Sequence, residues 1–164
     1  MTTTRRTTPH ASRLALAALC TIGAAASGTV VSAQNIPATA GALRGEWPGT
    51  GIAVLVDEGQ VEPRSIGSYA VRLYDTRRGG GTWDAFLTGI VRPRDGTLMK
   101  LDFADLDADG TTELVVVTQS AGSGGYLAAD AFRLRHGVLA RVAGVEGLAP
   151  SADPVAALRR AAAR

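Results

Sequence analysis

An acidic run in the middle of the chain carries the first candidate chemistry. Asp105, Asp107 and Asp109 occupy alternate positions, a glycine follows them, and Glu113 comes shortly after. Oxygen ligands at alternate positions, with a glycine for the sharp turn, are typical of loops that bind Ca²⁺. The run is not an EF-hand, because Val116 stands where that motif has its bidentate glutamate. Two interpretations follow: a calcium site formed by these four carboxylates, or an acidic turn that joins two strands.

A loop of small residues that ends on a tyrosine is the second candidate, and it contains Ser123, Gly124, Gly125 and Tyr126. Glycines remove side chains and permit positive φ, so that backbone N–H groups and the two hydroxyls can press closely against another molecule. A catalytic serine is not indicated, because the surrounding residues do not satisfy Gly-x-Ser-x-Gly and His136 is the only histidine beyond the amino-terminal segment. We therefore expect no enzymatic activity.

Segments with strand periodicity surround both candidates. Tyr69, Val71 and Leu73 share one face of a half-buried strand, whereas the unbroken apolar run 114–117 predicts a strand buried on both faces. Asp95-Gly96 is a strong two-residue hairpin signal. The predicted strands are 50–56, 68–74, 82–91, 98–103, 113–118, 126–135 and a short one from 137 to 142.

Turn signals every ten or so residues, without a long helical period, predict an all-β fold, an antiparallel β-sandwich. Arg133 and Arg135 alternate with apolar residues of the strand 126–135, and we expect both to face solvent. Only the end of the chain departs from the strand pattern. Asp153-Pro154 supplies an N-cap and a first helical turn, which predicts a short C-terminal helix.

The amino-terminal segment predicts export. Residues 1–33 combine a basic start, an apolar stretch and the small-residue cleavage site Val31-Ser32-Ala33, the pattern of a secretory signal peptide. The only cysteine, Cys20, follows the bulky Leu19, so a lipid anchor is not expected. Residues 34–47 are rich in Ala, Gly and Pro and predict a poorly ordered lead-in, in which we expect only Trp47 to dock on the domain. Residues 48–164 would form the folded domain, in the periplasm or outside the cell.

Composition limits the partners of the exported part. Cleavage after residue 33 removes three arginines, which leaves 14 Lys and Arg against 15 Asp and Glu. A net charge near −1 gives nucleic-acid binding no support. The exported part also lacks cysteine, so packing of a sheet core and not disulfides must hold it together.

Several motifs in order resemble the periplasmic inhibitors of invertebrate-type (I-type) lysozyme. They are Glu62 to Tyr69, Arg72 to Tyr74, Arg94 to Gly96, Asp105 to Glu113, and Ser123 to Tyr126 leading into Ala131-Phe132. The resemblance implies a β-sandwich whose Ser-Gly-x-Tyr loop inserts into the lysozyme cleft. It makes Ser123 and Tyr126 the inhibitory pair, with Gly124 and Gly125 between them, and lysozyme the protein partner.

Two functions from different classes are thus predicted. The first is a secreted, non-enzymatic lysozyme inhibitor that requires no cofactor, and the second is a calcium-dependent extracellular binding module that uses Asp105, Asp107, Asp109 and Glu113. Neither involves nucleic acid or a membrane anchor. The sequence leaves open whether the chain forms a homodimer.

Overall fold

A computed structural model describes residues 42–163, which form eight strands and one helix. The strands are β1 (Ala42–Trp47), β2 (Ile52–Glu58), β3 (Ile66–Asp75), β4 (Phe86–Asp95), β5 (Thr97–Ala104), β6 (Glu113–Gln119), β7 (Leu127–Arg135) and β8 (Val138–Leu148), and the helix is α1 (Pro154–Ala162). The predicted signal peptide and residues 34–41 of the predicted lead-in lie outside the described residues.

Two four-stranded sheets, in the orders β1-β2-β3-β4 and β5-β6-β7-β8, build the fold. Every neighbouring pair is antiparallel. The predicted all-β class with a short C-terminal helix is confirmed. The predicted buried face of β3 is confirmed, because Tyr69, Val71 and Leu73 are each at most 1% exposed. They pack in one cluster with Leu114, Val116 and Phe132 of the second sheet.

Strand β6 is buried along almost its whole length, as its apolar run predicts. It lies between β5 and β7, and its alternate residues belong to different clusters. Leu114 and Val116 join the main core, whereas Val115 and Val117 pack in a second cluster with Leu158 of α1. The helix therefore covers the second face of this sheet.

The C-terminal helix begins as the sequence predicts. Asp153 is the N-cap, and its carboxylate accepts hydrogen bonds from the backbone N–H of Val155 (2.9 Å) and Ala156 (3.2 Å). Capping by Asp satisfies N–H groups that have no partner within a helix. Among the described residues, no helix is long and apolar enough to cross a membrane.

The predicted lead-in is wrong for residues 42–46, which form β1 with Trp47 and pair with β2, whereas the docking of Trp47 on the domain is confirmed. Trp47 is 4% exposed, and its indole N–H donates to the carbonyl of Thr112 (2.9 Å). Leu43 packs against the core from the same strand. Strand pairing, the burial of Trp47 and the partial burial of Leu43 thus outweigh the Gly- and Ala-rich composition of the segment.

The predicted Asp95-Gly96 hairpin is also wrong. β4 belongs to the first sheet and β5 to the second, so the chain changes sheets at this point. Gly96 has φ +85°, a left-handed backbone conformation that favours glycine. The glycine therefore marks a sharp change of chain direction, although no hairpin forms there. The last strand also extends beyond its predicted end, to Leu148.

Candidate functional site

The glycine-rich loop joins β6 to β7 and consists of residues 120–126, here named the 120–126 loop. Its two ends are tied together, because the N–H of Ser120 donates to the carbonyl of Tyr126 (2.8 Å). Inside the loop, the N–H of Gly125 donates to the carbonyl of Gly122 (3.1 Å). The Gln119 side chain donates to the carbonyl of Gly125 (3.3 Å). These bonds hold a short loop in one conformation at the end of a buried strand.

Two glycines of the loop have separate structural roles. Gly125 has φ +55°, a backbone conformation that favours glycine. Gly124 instead makes room for the Tyr126 ring, since a Cβ on Gly124 would lie 2.3 Å from Cε2 of that ring. The Tyr126 ring therefore packs directly on the bare backbone of Gly124.

The two predicted contact residues lie on the same loop and are both exposed. Ser123 is exposed, and Tyr126 keeps 55% of its surface exposed. Within residues 42–163 neither hydroxyl makes a hydrogen bond, so both are free to bind a partner molecule. His136, the only histidine in this range, follows the far end of β7 from Tyr126. Its φ of +51° beside Gly137 (+79°) places it in the β7–β8 turn, where it is exposed.

The Asp95–Gly96 corner supports the base of the loop, which sequence reasoning missed. A Cβ on Gly96 would lie 1.7 Å from the Gln119 carbonyl oxygen, so the two backbones are in direct contact. Ser120 Oγ lies 3.5 Å from a carboxylate oxygen of Asp95. The signal in the sequence was the glycine itself, but only the fold shows which backbone it touches.

Arg94 anchors the corner from inside. Its side chain is 1% exposed and donates to the carbonyls of Arg64 (2.8 Å), Ser68 (3.2 Å) and Gly96. The N–H of Gly96 in turn donates to the carbonyl of Ser65 (2.9 Å). This buried guanidinium therefore links the segment before β3 to the corner under the 120–126 loop.

The acidic run forms a compact loop between β5 and β6. Asp105, Asp107 and Asp109 each offer a carboxylate oxygen, and these oxygens lie within 4.8 Å of one another. Glu113 is fully buried, and its carboxylate accepts from the backbone N–H of Leu106 (2.9 Å). The backbone N–H of Thr111 donates to Asp109 (2.7 Å) and, as the main cause, lowers the pKa of that carboxyl.

Arg133 does not face solvent as predicted. It is 8% exposed, and its guanidinium lies 2.8 Å from a carboxylate oxygen of Asp107 and 3.3 Å from one of Asp109. Its Nε also donates to Glu113 (2.6 Å). The hydrogen bond with Asp107 is the main cause that raises the pKa of Arg133, and the bond with Glu113 adds to it. The prediction failed because the acidic loop covers the sheet face on which Arg133 stands.

The acidic loop is therefore paired with a cation of the neighbouring sheet, Arg133 of β7. Three of the four candidate ligands pair with Arg133, and the fourth, Asp105, uses one oxygen to accept from the N–H of Gly110 (2.9 Å). Its other oxygen is buried without a hydrogen bond. The loop also precedes β6 whereas the 120–126 loop follows it, so about 20 Å of strand separates the two candidates.

Comparisons with known proteins agree on one family. Residues 46–162 match the family model for the periplasmic lysozyme inhibitor of I-type lysozyme (PliI). The crystal structure of that inhibitor from Aeromonas hydrophila is similar, with 46% identity over 71% of this chain and 98% of the other, and a TM-score of 0.65. The Aeromonas hydrophila inhibitor in complex with Meretrix lusoria lysozyme is 47% identical over 72% of this chain and 94% of the other, also with a TM-score of 0.65. No curated protein sequence matches the chain.

Proposed function

This chain belongs to the family of periplasmic lysozyme inhibitors of I-type lysozyme, and from that membership we propose that it inhibits an I-type lysozyme in the periplasm by placing the 120–126 loop in the catalytic cleft. One observation carries the mechanism: Ser123 and Tyr126 are exposed on a tied loop, and their hydroxyls make no hydrogen bond within residues 42–163. The chain acts by binding and not by catalysis.

The geometry of a glycosidase cleft suits two hydroxyls at this spacing. A retaining glycosidase holds its two catalytic carboxyl groups about 5–5.5 Å apart. Residues three apart in a chain span at most about 10 Å, so one loop can reach both groups. Hydroxyls donate without adding charge, and a hydrogen bond to a charged group contributes about 1.5–3 kcal/mol.

Two hydrogen bonds do not supply tight binding on their own. Specific complexes bury about 800 Å² on each partner, and aromatic side chains carry much of the energy. Tyr126, which is more than half exposed, would bury its ring in the cleft as well as donate its hydroxyl. The fixed loop supports this role, because ordering a flexible loop on binding would cost free energy.

Alanine substitutions test the mechanism directly. Ser123→Ala removes one charge-assisted bond and should weaken inhibition by about 1.5–3 kcal/mol. Tyr126→Ala removes a ring as well and should cost about 2–4 kcal/mol, with Tyr126→Phe in between. The melting temperatures should remain nearly unchanged, because both side chains are exposed.

Inhibition and melting are to be measured on the same preparations of each variant. The double mutant should deviate from additivity, since both side chains serve one cleft. Full potency in both alanine variants would contradict the mechanism, and failure of the unchanged protein to inhibit an I-type lysozyme would contradict the function.

No cofactor is assigned to inhibition under this proposal. The four acidic side chains that could hold Ca²⁺ lie at the other end of β6 from the inhibitory loop. The guanidinium of Arg133 already pairs with three of these carboxylates, those of Asp107, Asp109 and Glu113. We therefore assign the acidic loop a structural role, which makes the calcium-dependent binding module the less supported function.

A further inference from the structure

The 120–126 loop is too small to form the whole contact with a lysozyme. A specific interface takes about 20–30 residues from each partner, whereas the loop is a short connection between two strands. Three other connections lie at the same end of the sandwich, namely residues 59–65, Gly96 and residues 149–153. Neighbours of the loop must therefore supply most of the contact.

Residues 59–65, here named the 59–65 loop, flank the same corner as the 120–126 loop. The N–H of Gly96 donates to the carbonyl of Ser65 (2.9 Å). A Cβ on Gly96 would lie 2.7 Å from Cα of Ser120. Gly96 thus stands between the two loops and touches both of them. A protein that covers the 120–126 loop with an interface of ordinary size also meets the 59–65 loop.

The 59–65 loop is held in one conformation by Glu62. The carboxylate of Glu62 accepts hydrogen bonds from the hydroxyl of Ser68 (2.8 Å) and from its backbone N–H. Two glycines make room for this side chain, because a Cβ on Gly59 or Gly67 would collide with it. A loop fixed before binding loses little conformational freedom when a partner covers it.

Arg64 is the one cation that these connections offer. It is the only lysine or arginine in the four connections at this end of the sandwich, and it is exposed. Arg94 fixes its backbone by donating to the carbonyl of Arg64 (2.8 Å). The guanidinium of Arg64 itself forms no ion pair or hydrogen bond with any residue from 42 to 163. It is therefore available to a partner, and Val61 and Ile66 on either side of it are exposed at 99% and 66%.

The charge of a glycosidase cleft calls for a cation at this place. Such a cleft holds two catalytic carboxyl groups, and the hydroxyls of the 120–126 loop bring no charge to them. Asp95 beside Ser120 and Glu146 near the end of β8 are exposed acidic groups in the same part of the molecule. Like charges across an interface oppose association. Arg64 is the neighbouring group that offsets them.

We propose that the 59–65 loop is a second contact of the inhibitory surface, in which Arg64 pairs with an acidic side chain of the lysozyme in or beside its catalytic cleft. The inference rests on the proposed inhibition of lysozyme. It divides the work between two loops: the 120–126 loop fits the cleft, and Arg64 complements its charge.

A matched pair of arginine substitutions tests the position of the cation. Arg64→Ala should slow association with an I-type lysozyme and weaken inhibition about fivefold, because charges at an interface act mainly on the association rate. Arg64→Glu should weaken inhibition further, since repulsion replaces attraction. Arg135→Ala is the control, because Arg135 is exposed at the opposite end of β7 and the change in net charge is the same. It should leave inhibition unchanged, and equal losses in Arg64→Ala and Arg135→Ala would contradict the second contact.

Ionic strength and a conservative variant test the role of the charge. Association of the unchanged protein should become slower as salt is added, and Arg64→Ala should show a smaller salt dependence. Arg64→Lys keeps the charge and should retain most of the inhibition. If Arg64→Lys were as weak as Arg64→Ala, pairing by charge would be wrong. Melting temperatures should be equal in all these variants, since the Arg64 guanidinium bonds to none of the described residues.

Tyr126→Ala, measured alongside, separates the second contact from the inhibitory loop. If the unchanged protein inhibits and Tyr126→Ala is impaired while Arg64→Ala and Arg64→Glu keep full potency, the second contact is wrong and the inhibitory loop stands. A complete absence of inhibition by the unchanged protein would overturn both.

Discussion

At the scale of single residues, the shape of the proposed inhibitory loop depends on a contact between a glycine and an aromatic ring. Tyr126 packs on Gly124, so the direction of the ring is set by the absence of a side chain two residues earlier. The backbone bonds of Ser120 and Gly125 hold the rest of the loop. A ring that is already directed outward loses less conformational freedom on binding than a mobile one.

Gly124→Ala should therefore weaken inhibition without unfolding the protein. Its backbone lies outside the left-handed region, so alanine is tolerated, but the new Cβ would meet the Tyr126 ring and displace it. We expect about a tenfold loss, or about 1.4 kcal/mol. The control is Gly122→Ala, whose Cβ would have only an ordinary contact 3.5 Å from Ser120 Oγ. The test compares the inhibition constants of Gly124→Ala and Gly122→Ala. Equal potency of the two variants would show that the position of the Tyr126 ring does not matter for inhibition.

At the scale of elements, the corner between β4 and β5 joins the two sheets and carries the base of the loop. Gly96 touches the backbone of Gln119, the last residue of β6. Arg94 closes the other side of the corner with bonds to backbone carbonyls. The inhibitory loop is thus supported by an element 25 residues away in the chain.

Gly96→Ala should destabilise the whole domain. Its φ of +85° strains any other residue, and the added Cβ would collide with the Gln119 carbonyl. Strain of this kind costs about 1–3 kcal/mol, and the collision adds to it. Gly137→Ala is the control, because Gly137 has φ +79° but open space around its Cβ. Thermal melting should show the larger decrease for Gly96→Ala; equal decreases would mean that the corner can adjust.

The acidic loop is the second element with a testable property. Arg133 is paired with Asp107, Asp109 and Glu113, so we expect added Ca²⁺ or a chelator to leave the melting temperature of the unchanged protein within about 1 °C. Arg133→Gln would leave carboxylates unpaired and should cost about 3–5 kcal/mol.

Calcium should partly restore the stability of the Arg133→Gln variant, since the loop would then lack the guanidinium that pairs with it. Arg135→Gln is the control, because Arg135 is exposed at the end of the same strand. A clear calcium-dependent rise in the melting temperature of the unchanged protein would contradict the structural role of the loop and favour the calcium module.

At the scale of the whole molecule, the proposed binding surface lies at one end of the sandwich. The 120–126 loop and the Asp95–Gly96 corner are neighbours there, because Gly96 touches the backbone of Gln119, the last residue of β6. The acidic loop and α1 instead stabilise the second sheet, as Arg133 and Leu158 show. The proposed binding loop and the acidic loop therefore lie at opposite ends of β6.

This arrangement predicts selectivity among lysozymes. Catalytic carboxyls alone would not distinguish one enzyme class from another, but a loop must also match the shape of the cleft that it enters. We expect the I-type enzyme to be inhibited far more strongly than the chicken-type and goose-type enzymes. Inhibition constants measured side by side under identical conditions test this, and equal potency on all three would contradict it.

The sequence alone determined the fold class, the exposed loop and the family. Period-two alternation in Tyr69, Val71 and Leu73 predicted a strand face correctly, because which residues share a face depends only on local backbone geometry. The Asp153 N-cap was predicted correctly for the same reason, because it bonds to residues two and three positions later in the chain. The position of Ser123 and Tyr126 on one exposed loop could also be predicted, because a run of glycines disfavours both helix and strand.

Tertiary structure decided what alternation cannot report, namely what covers each face and which strands pair. Arg133 was correctly placed opposite Phe132, but its face is buried because the acidic loop folds over it. Gly96 predicted a turn correctly. That turn joins two different sheets because β5 pairs with β6 and not with β4. Contacts between residues distant in the chain depend on the packing of complete sheets, so no local pattern contains them.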